Sequence, residues 1–321
     1  MRLKELASLK SSPWRADILL ALVGVYVIWG STYLAMRFAI ESMPPLLMAG
    51  VRYISAGALM LAFLRWRGHA WPSGRQWING GIIGAFLMLG GNGMVGLALE
   101  QGVSSGMSAL VVGVAPLFAL AFANIWGSRA RIREWVGMVI GFGGLILLNL
   151  GNELSASPLG ASLLVLAALT WAFGSMWSQH LNMPAGFMAS AVEMLLGGFV
   201  LLAASALRGE TVTEMPTAKA WWALGYLISF GAILGFSAYV HLLQNVRPAI
   251  ATSYAYVNPL VAVGLGVWLA GEQVDRTALF AMAIILSGVV LVYWPSRERA
   301  PDVKQGAANP DGASQQANSN S

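Results

Sequence analysis

The sequence predicts an all-α integral membrane protein in which ten transmembrane helices form two inverted five-helix repeats. Hydrophobic residues make up 57% of the 321-residue chain and charged residues only 10%, whereas soluble domains carry about 25% charged residues. The charges are missing from a series of apolar stretches, each close to the roughly 20 residues that cross a bilayer as a helix. The two halves of the chain also match one another when they are overlaid.

The apolar stretches define the expected spans and leave no room for a soluble domain between them. The spans lie at 16–36, 44–64, 76–99, 105–127, 135–150, 158–178, 185–207, 220–242, 250–270 and 277–294. No G-x-x-x-x-G-K-[ST] phosphate loop is present, so transport driven by ATP hydrolysis within this chain is not expected. Residues 1–15 are expected to form a cytoplasmic N-terminal segment. Residues 295–321 are rich in Asn, Ser, Gln and Gly, which favours a disordered cytoplasmic tail.

The basic residues indicate the orientation of the chain. Most of the 19 Lys and Arg residues fall in alternate connections, for example at Arg65 and Arg67, and at Arg129 and Arg131. By the positive-inside rule these connections and both termini are cytoplasmic. The formal net charge of +5 then needs no nucleic-acid partner. The absence of Cys excludes disulfides and thiolate metal sites, and neither a metal nor a cofactor is expected.

An internal repeat, together with the number of spans, leads to an expectation about mechanism. Residues 16–150 and residues 158–294 form the two predicted repeats, which overlay at a shift of about 141–144 residues. The matched positions include Trp29 with Trp171, Arg52 with Glu193, and Pro116 with Pro259. Because five is an odd number, the second repeat enters the membrane from the opposite side, as in secondary transporters whose substrate site lies near the midplane. A duplication that only builds a stable bundle is the alternative.

Two ionisable residues lie at membrane depth, where each costs several kcal/mol unless it is paired or hydrated. Arg52 in span two and Glu193 in span seven each lie about 12 Å deep, counted from opposite membrane faces. We expect them either to pair or to face one polar cavity, with a static structural ion pair as the alternative. Glu193 is the simplest candidate for proton coupling, because it is the acidic residue deep in a span. A facilitator that needs no ion is equally consistent with the sequence.

Other candidates for the substrate cavity are prolines, aromatic residues and polar residues within spans. Pro116 and Pro259 interrupt corresponding spans, and interrupted helices at matched positions indicate a transporter site. Further candidates lie in spans one, three, six, eight and nine: Trp29, Ser31, Tyr33, Asn92, Trp171, Ser175, Tyr239, Tyr254, Tyr256 and Asn258. The alternative for each is an ordinary role in helix packing.

Several segments together resemble the EamA-domain branch of the drug/metabolite transporter superfamily. They are IWGSTY at 28–33, PPLLMAGVR at 44–52, GNGM at 91–94, WAFGS at 171–175, NVRPAIATSYAYVNPLVAV at 245–263 and the Gly271-Glu272 pair. The first half has Ser128-Arg129 where a second Gly-Glu pair is expected, so that end of the repeat has diverged.

The resemblance implies a bacterial inner-membrane carrier that exports amino acids, other metabolites or drug-like compounds by alternating access. In that family helices one, three, four, six, eight and nine line the central cavity. This favours five of the candidates over Arg52 and Glu193, which become candidates for gating or ion pairing. The five are Trp29, Asn92, Pro116, Trp171 and Asn258.

Two other functions share parts of this pattern. A lipid flippase has the same architecture with a lateral opening. A membrane-embedded enzyme acting on a lipid-linked substrate needs clustered carboxylates or histidines at a membrane face, and the sequence shows no such cluster, so no enzymatic activity is expected. The expected partners are a small-molecule substrate and the lipid bilayer, and the sequence gives no indication of an oligomeric state.

Overall fold

The computed structural model describes residues 16–126, 132–149, 157–245 and 254–293, and the regular elements in these ranges are all helices. In chain order they are α1 (Ala16–Ile40), α2 (Pro45–Trp66), α3 (Gly74–Glu100), α4 (Ser105–Val112 and Ala115–Ile125), α5 (Ile132–Asn149), α6 (Pro158–Ser178), α7 (Phe187–Arg208), α8 (218–245), α9 (Tyr254–Ala270) and α10 (Arg276–Tyr293). The predicted terminal segments 1–15 and 295–321 lie outside the described residues.

The helices have the lengths and surfaces of a membrane protein. Seven of the described helices (α1, α2, α3, α4, α6, α7 and α8) contain a stretch long and apolar enough to cross a bilayer, and Val257–Ala270 and Arg276–Leu291 are shorter apolar helices. Large apolar side chains such as Leu20, Leu207 and Trp222 are exposed on the outside of the bundle, where lipid chains replace water. The predicted class, a helical membrane protein, is confirmed.

The two halves pack against each other in matched pairs. Helix α2 lies along α7, and α5 lies along α10; each pair joins corresponding helices of the two halves. Helix α1 packs against α8 and α9, and α6 packs against α3 and α4. Helix α3 contacts α7, and α2 contacts α8. When each helix is replaced by its counterpart in the other half, every one of these contacts therefore corresponds to a contact that the structure contains.

A backbone irregularity recurs at the same place in both halves. The middle of α3 is π-helical over Ala85–Gly93, and the middle of α8 is π-helical over Leu227–Leu234. The repeat aligns Ala85 with Leu227. A π-helical segment pairs each N–H with the carbonyl five residues earlier instead of four, and such segments occur frequently at functional sites.

Helix α4 is interrupted near its middle, as its proline predicts. The first part ends at Val112, and the second part starts at Ala115 with Pro116 in its first turn, where the missing N–H costs no hydrogen bond. Pro259 lies inside α9. A Cβ on Gly113 would lie 3.2 Å from Pro259 Cγ, so the interruption of α4 touches the proline of α9.

The two parts of α4 have different neighbours. Ser105–Val112 packs against α9, whereas Ala115–Ile125 runs along α6. Helix α6 also contacts Ser105–Val112, so the interruption at residues 113–114 separates a part of α4 that packs on both α9 and α6 from a part that packs mainly on α6.

Glycine allows the matched helices to approach until their backbones touch. At the α2–α7 crossing, a Cβ on Gly57 would lie 2.5 Å from Leu195 N, and one on Gly198 would lie 2.7 Å from Ile54 N. At the α5–α10 crossing, a Cβ on Gly288 would lie 2.6 Å from Gly137 O. Small residues give membrane helices close packing where no hydrophobic effect drives association.

We expect Gly57→Ala to lower the free energy of unfolding in detergent by about 1–3 kcal/mol, because the added methyl group meets backbone that cannot move aside. The matched control is Gly225→Ala on α8, since no atom lies within 4 Å of its Cβ position. The control should leave stability unchanged or raise it slightly, because Ala is the better helix former. Equal effects of the two substitutions would show that the α2–α7 crossing is not tightly packed.

Candidate substrate site

An aromatic cluster surrounds Trp29 where α1 meets α8 and α9. The Trp29 ring centre lies 4.8 Å from that of Tyr254, 5.2 Å from that of Tyr239 and 5.4 Å from that of Phe236. Trp29 Nε1 donates a hydrogen bond of 3.2 Å to the carbonyl oxygen of Gly231, in the π-helical segment of α8. All four aromatic residues, called the Trp29 cluster below, are only half-buried.

Trp171 occupies the corresponding position in the second half. Its ring lies against Gly91, whose Cβ would be 2.8 Å from Trp171 Cε3, so Trp171 also contacts a glycine of a π-helical segment. Asn92 follows in that segment, and its Nδ2 donates to the Leu87 carbonyl at 3.4 Å. The structure therefore places Trp29 against α8 and Trp171 against α3, the corresponding helix of the other half.

A second aromatic cluster lies among α3, α4 and α6. The Phe173 ring centre lies 5.1 Å from that of Phe86, 5.3 Å from that of Phe122 and 5.5 Å from that of Trp177. Trp126 is 5.8 Å from Phe173. These five residues, called the Phe173 cluster below, are also half-buried, and the sequence analysis did not single them out.

The predicted polar candidates of α1 and α9 have specific partners. Ser31 Oγ lies 2.6 Å from Tyr226 Oη, which links α1 to α8. With its amide nitrogen facing two carbonyl oxygens, buried Asn258 donates to Tyr254 at 3.2 Å and to Tyr26 at 3.3 Å. Asn258 thereby ties α9 to α1.

Three further candidates have positions that the structure defines less specifically or not at all. Tyr33 packs against the apolar core beside Met36 and Ala39. Ser175 lies on α6 one turn after Trp171 and is half-buried. Tyr256 belongs to α9, but its side chain lies outside the described part of the structure.

Arg52 and Glu193 do not form the ion pair that their depths suggested. Both are buried, yet no ion pair or hydrogen bond within the described residues joins them. The Arg52 guanidinium lies 4.6 Å from the centre of the Tyr53 ring and faces Gly231 of α8. The Glu193 backbone instead packs against Gly84 of α3. The expected direct pair is therefore wrong for this conformation, because the two residues belong to different helix contacts.

One end of the bundle is held by Glu272, in the connection between α9 and α10. Its side chain is 3% exposed and forms an ion pair with Arg37 at the end of α1. It accepts hydrogen bonds from Ser105 N at 2.8 Å, from Ser105 Oγ at 2.7 Å and from Gly106 N at 3.0 Å. Burial alone would raise the pKa of Glu272, but the hydrogen bonds from Gly106, Ser105 and Arg37 outweigh it and lower that pKa.

Glu210 accepts hydrogen bonds from the start of α2 at this end of the bundle. Its side chain is 6% exposed, and it accepts hydrogen bonds from Leu47 N at 2.9 Å and from Ser205 Oγ at 2.8 Å. Arg208 bridges Glu210 at 2.8 Å and Glu100 at 2.6 Å. Glu210 and Glu272 both come from the second half, and each caps a helix of the first half, where an anion satisfies the free N–H groups.

We call this the Glu272 end; the connections that the structure describes in full here are 41–44, 101–104, 209–217 and 271–275. The Gly271-Glu272 pair is part of the family resemblance, but its capping role was not predicted. The available signal was a pair of acidic residues directly after two apolar spans.

The opposite end, called the Asn182 end, is described in part, because residues 127–131 and 246–253 lie outside the described ranges. Here Asn79 Nδ2 donates to the Asn182 carbonyl at 3.0 Å, and Gln76 Nε2 donates to the Met183 carbonyl at 3.2 Å. Trp126 stacks on His180 with ring centres 5.2 Å apart. In the described ranges no group of three or more His, Asp or Glu side chains could hold a metal ion.

Comparison with known proteins decides the family. The model of the EamA-like transporter family matches residues 16–150 and again residues 158–294. The chain belongs to the EamA-like transporter family. The resemblance noted in the sequence is therefore confirmed, and the two matches show that the family domain is duplicated.

Named relatives agree with this assignment. The chain is 48% identical over 272 residues to the "Uncharacterized inner membrane transporter YedA" of Escherichia coli, covering 85% of this chain and 89% of the relative. It is 24% identical to the "Probable amino-acid metabolite efflux pump" of Salmonella typhimurium, covering 89% and 97%. A solved crystal structure superposes with a TM-score of 0.60 at 19% identity, covering 86% of this chain and 97% of that one, which shows the fold alone.

Family membership establishes the general activity. The protein is a membrane transporter and not an enzyme, since its family and its relative in Escherichia coli are transporters. It is embedded in the membrane through several long apolar helices.

We expect Glu272→Gln to lower the free energy of unfolding by about 2 kcal/mol, because it removes the charge that caps α4 and pairs with Arg37. The matched control is Glu214→Gln, which removes an exposed carboxylate from another connection at the same end and should have no measurable effect. Chemical unfolding in detergent provides the measurement.

The same side chain predicts a pH dependence. Because the pKa of Glu272 is lowered in the folded protein, its stabilising contribution is complete above the unfolded-state pKa and is lost as pH falls through the folded-state pKa. The wild type should therefore lose more stability than Glu272→Gln below the ordinary titration range of Glu. Parallel acid unfolding curves for the two proteins would contradict the capping role.

Proposed function

We propose that the protein is a secondary carrier that exports small metabolites across the bacterial inner membrane by alternating access. The observation that carries this proposal is the course of α4 and α9. Helix α9 packs against Ser105–Val112, the part of α4 on the Glu272 side of the interruption, whereas the second part of α4 packs mainly on α6. An interrupted helix that contacts the proline of its counterpart in the other half is the feature that indicates a transporter site between inverted repeats.

The proposed topology has ten transmembrane helices in two inverted repeats. Seven helices meet the length of a span by themselves, and α5, α9 and α10 complete the set. The exchange of contacts between the halves supports this count, since α5 lies along α10 in the same way as α2 lies along α7. The distribution of Lys and Arg favours cytoplasmic termini. In that orientation the Glu272 end, with its ion pairs and helix caps, faces the periplasm.

The proposed substrate site lies between the Trp29 cluster and the Phe173 cluster. The two clusters involve corresponding sets of helices, α1, α8 and α9 on one side and α6, α3 and α4 on the other. Half-buried aromatic rings favour a solute with an apolar or aromatic part. Since the Salmonella relative is named as an amino-acid metabolite efflux pump, amino acids and their derivatives are the first solutes to test. Trp29, Asn92, Trp171, Tyr239 and Tyr254 remain the leading candidates for contact with the solute.

Export can be tested by metabolite release. Cells that overproduce the wild type should release at least one metabolite faster than cells that carry the empty vector. We expect Trp29→Ala to abolish most of this release, because it removes the centre of the Trp29 cluster. The matched control is Trp222→Ala, whose ring is 82% exposed on the outside of α8; it should release as the wild type does.

Counterflow in proteoliposomes with the released metabolite then tests carrier activity directly. Exchange of labelled for unlabelled solute is the expected result. If the wild type shows neither release nor counterflow, or if Trp29→Ala and Trp222→Ala behave alike, the proposed site is wrong.

We also propose Glu193 as the residue through which a proton gradient acts, since it is buried without an ion pair in the described residues. Glu193→Gln should keep counterflow but lose uptake driven by an imposed pH gradient. A variant that keeps full pH-driven transport would contradict proton coupling at this position and favour a facilitator.

A further inference from the structure

Arg52 lacks the counter-charge that a buried arginine normally has. Only 3% of its surface is exposed, and its Nε is buried without a hydrogen-bond partner. In the described ranges no ion pair involves Arg52, and no carboxylate accepts a hydrogen bond from its guanidinium. The Tyr53 ring, 4.6 Å away, supplies part of the compensation through its π face. A buried charge at membrane depth generally has a partner or lines a functional site.

The Arg52 guanidinium lies beside the Trp29 cluster. Arg52 Nη2 is 3.1 Å from the point that a Cβ on Gly231 would occupy, and Thr32 Cγ2 is 3.0 Å from the same point. The carbonyl of Gly231 accepts the hydrogen bond from Trp29 Nε1. A single glycine of the π-helical segment therefore contacts the cation on one side and the centre of the aromatic cluster on the other.

The matched position in the other half does not carry a second cation. The repeat places Glu193 where Arg52 stands, and its backbone packs on α3 at Gly84. The two matched positions therefore differ in chemistry, one carrying a cationic side chain and the other an acidic one. A solute that presents an anionic group has one complementary position, which fixes its orientation between the two aromatic clusters.

We propose that Arg52 binds a carboxylate of the transported solute while the apolar part of the solute rests on the Trp29 cluster. This inference rests on the proposed carrier function. A guanidinium presents two parallel N–H donors that match the two oxygens of a carboxylate. A side chain at Gly231 would crowd these donors, since its Cβ would lie 3.1 Å from Arg52 Nη2. The bound carboxylate supplies the missing counter-charge, so the buried Arg52 guanidinium is fully compensated only when the carrier is loaded with solute.

Ligand-induced stabilisation of the purified full chain tests the proposal. Indole-3-acetate is the probe, and indole-3-acetamide is its uncharged match; phenylacetate with phenylacetamide forms a second pair. We expect at least one carboxylate to raise the melting temperature, with an apparent affinity at least about tenfold higher than that of its amide. Arg52→Gln should lose this preference, and Arg52→Lys should retain part of it. The matched control Arg276→Gln, at the exposed start of α10, should keep the full preference.

A second variant and a lipid probe cover the remaining outcomes. If Arg52→Gln does not fold, Arg52→Lys decides, because an unchanged preference in that variant contradicts recognition by the guanidinium fork. Phosphatidylglycerol added in place of the soluble acids distinguishes a lipid headgroup. A melting shift from the lipid with none from the acids overturns the proposal, as do equal affinities for each acid and its amide.

Failure of this subsite can be separated from failure of the proposed function. Counterflow of a neutral solute that is equal in wild type and Arg52→Gln, without any carboxylate preference, overturns the subsite and leaves the carrier intact. Carboxylate binding without counterflow of any solute supports the subsite and contradicts the carrier.

Discussion

The fold depends on the close approach of corresponding helices across the two halves. Helices α2 and α7 meet at Gly57 and Gly198, and α5 and α10 meet at Gly288, in each case close enough that a methyl group would strike backbone. In a bilayer the packing of small residues replaces the hydrophobic effect as the force between helices. These two contacts hold the halves together, and they leave the remaining helices to form the walls between the halves.

The helices that form these walls contain the irregular backbone segments that a carrier requires. Both π-helical segments and the interruption of α4 lie in helices that surround the aromatic clusters, and no comparable interruption lies within the described parts of α2, α5, α7 and α10. Irregular backbone at membrane depth is tolerated where it lines a cavity or is buried in protein. At the Glu272 end, Glu272 caps α4 and Glu210 caps α2, so carboxylates of one half fasten helices of the other. Rigid outer pairs and irregular inner helices together suggest where movement is concentrated.

Much of this arrangement follows from the sequence, and the exceptions have physical causes. Apolar length predicted the helices, and the repeat predicted that Trp29 and Trp171 occupy equivalent positions. Residue counting also placed Arg52 and Glu193 at similar depth, but depth does not give the direction in which a side chain leaves its helix, so the direct pair, one of the two arrangements expected, is not formed in this conformation. Hydropathy cannot reveal a shift of backbone pairing by one residue, so neither π-helical segment was predicted. The capping by Glu272 depends on how closely two distant segments approach, which no local pattern encodes.

Alternating access is the central claim, and distances across the two ends of the bundle test it most directly. The chain has no Cys, so spin labels can be attached at Gln101 and Gln273 for the Glu272 end, and at Gln179 and Asn245 for the Asn182 end. Double electron–electron resonance in lipid, with and without transported solute, then measures both separations. The account predicts two populations in which one end widens as the other narrows, with solute changing their ratio. A single unchanged distance at both ends in every condition would contradict it.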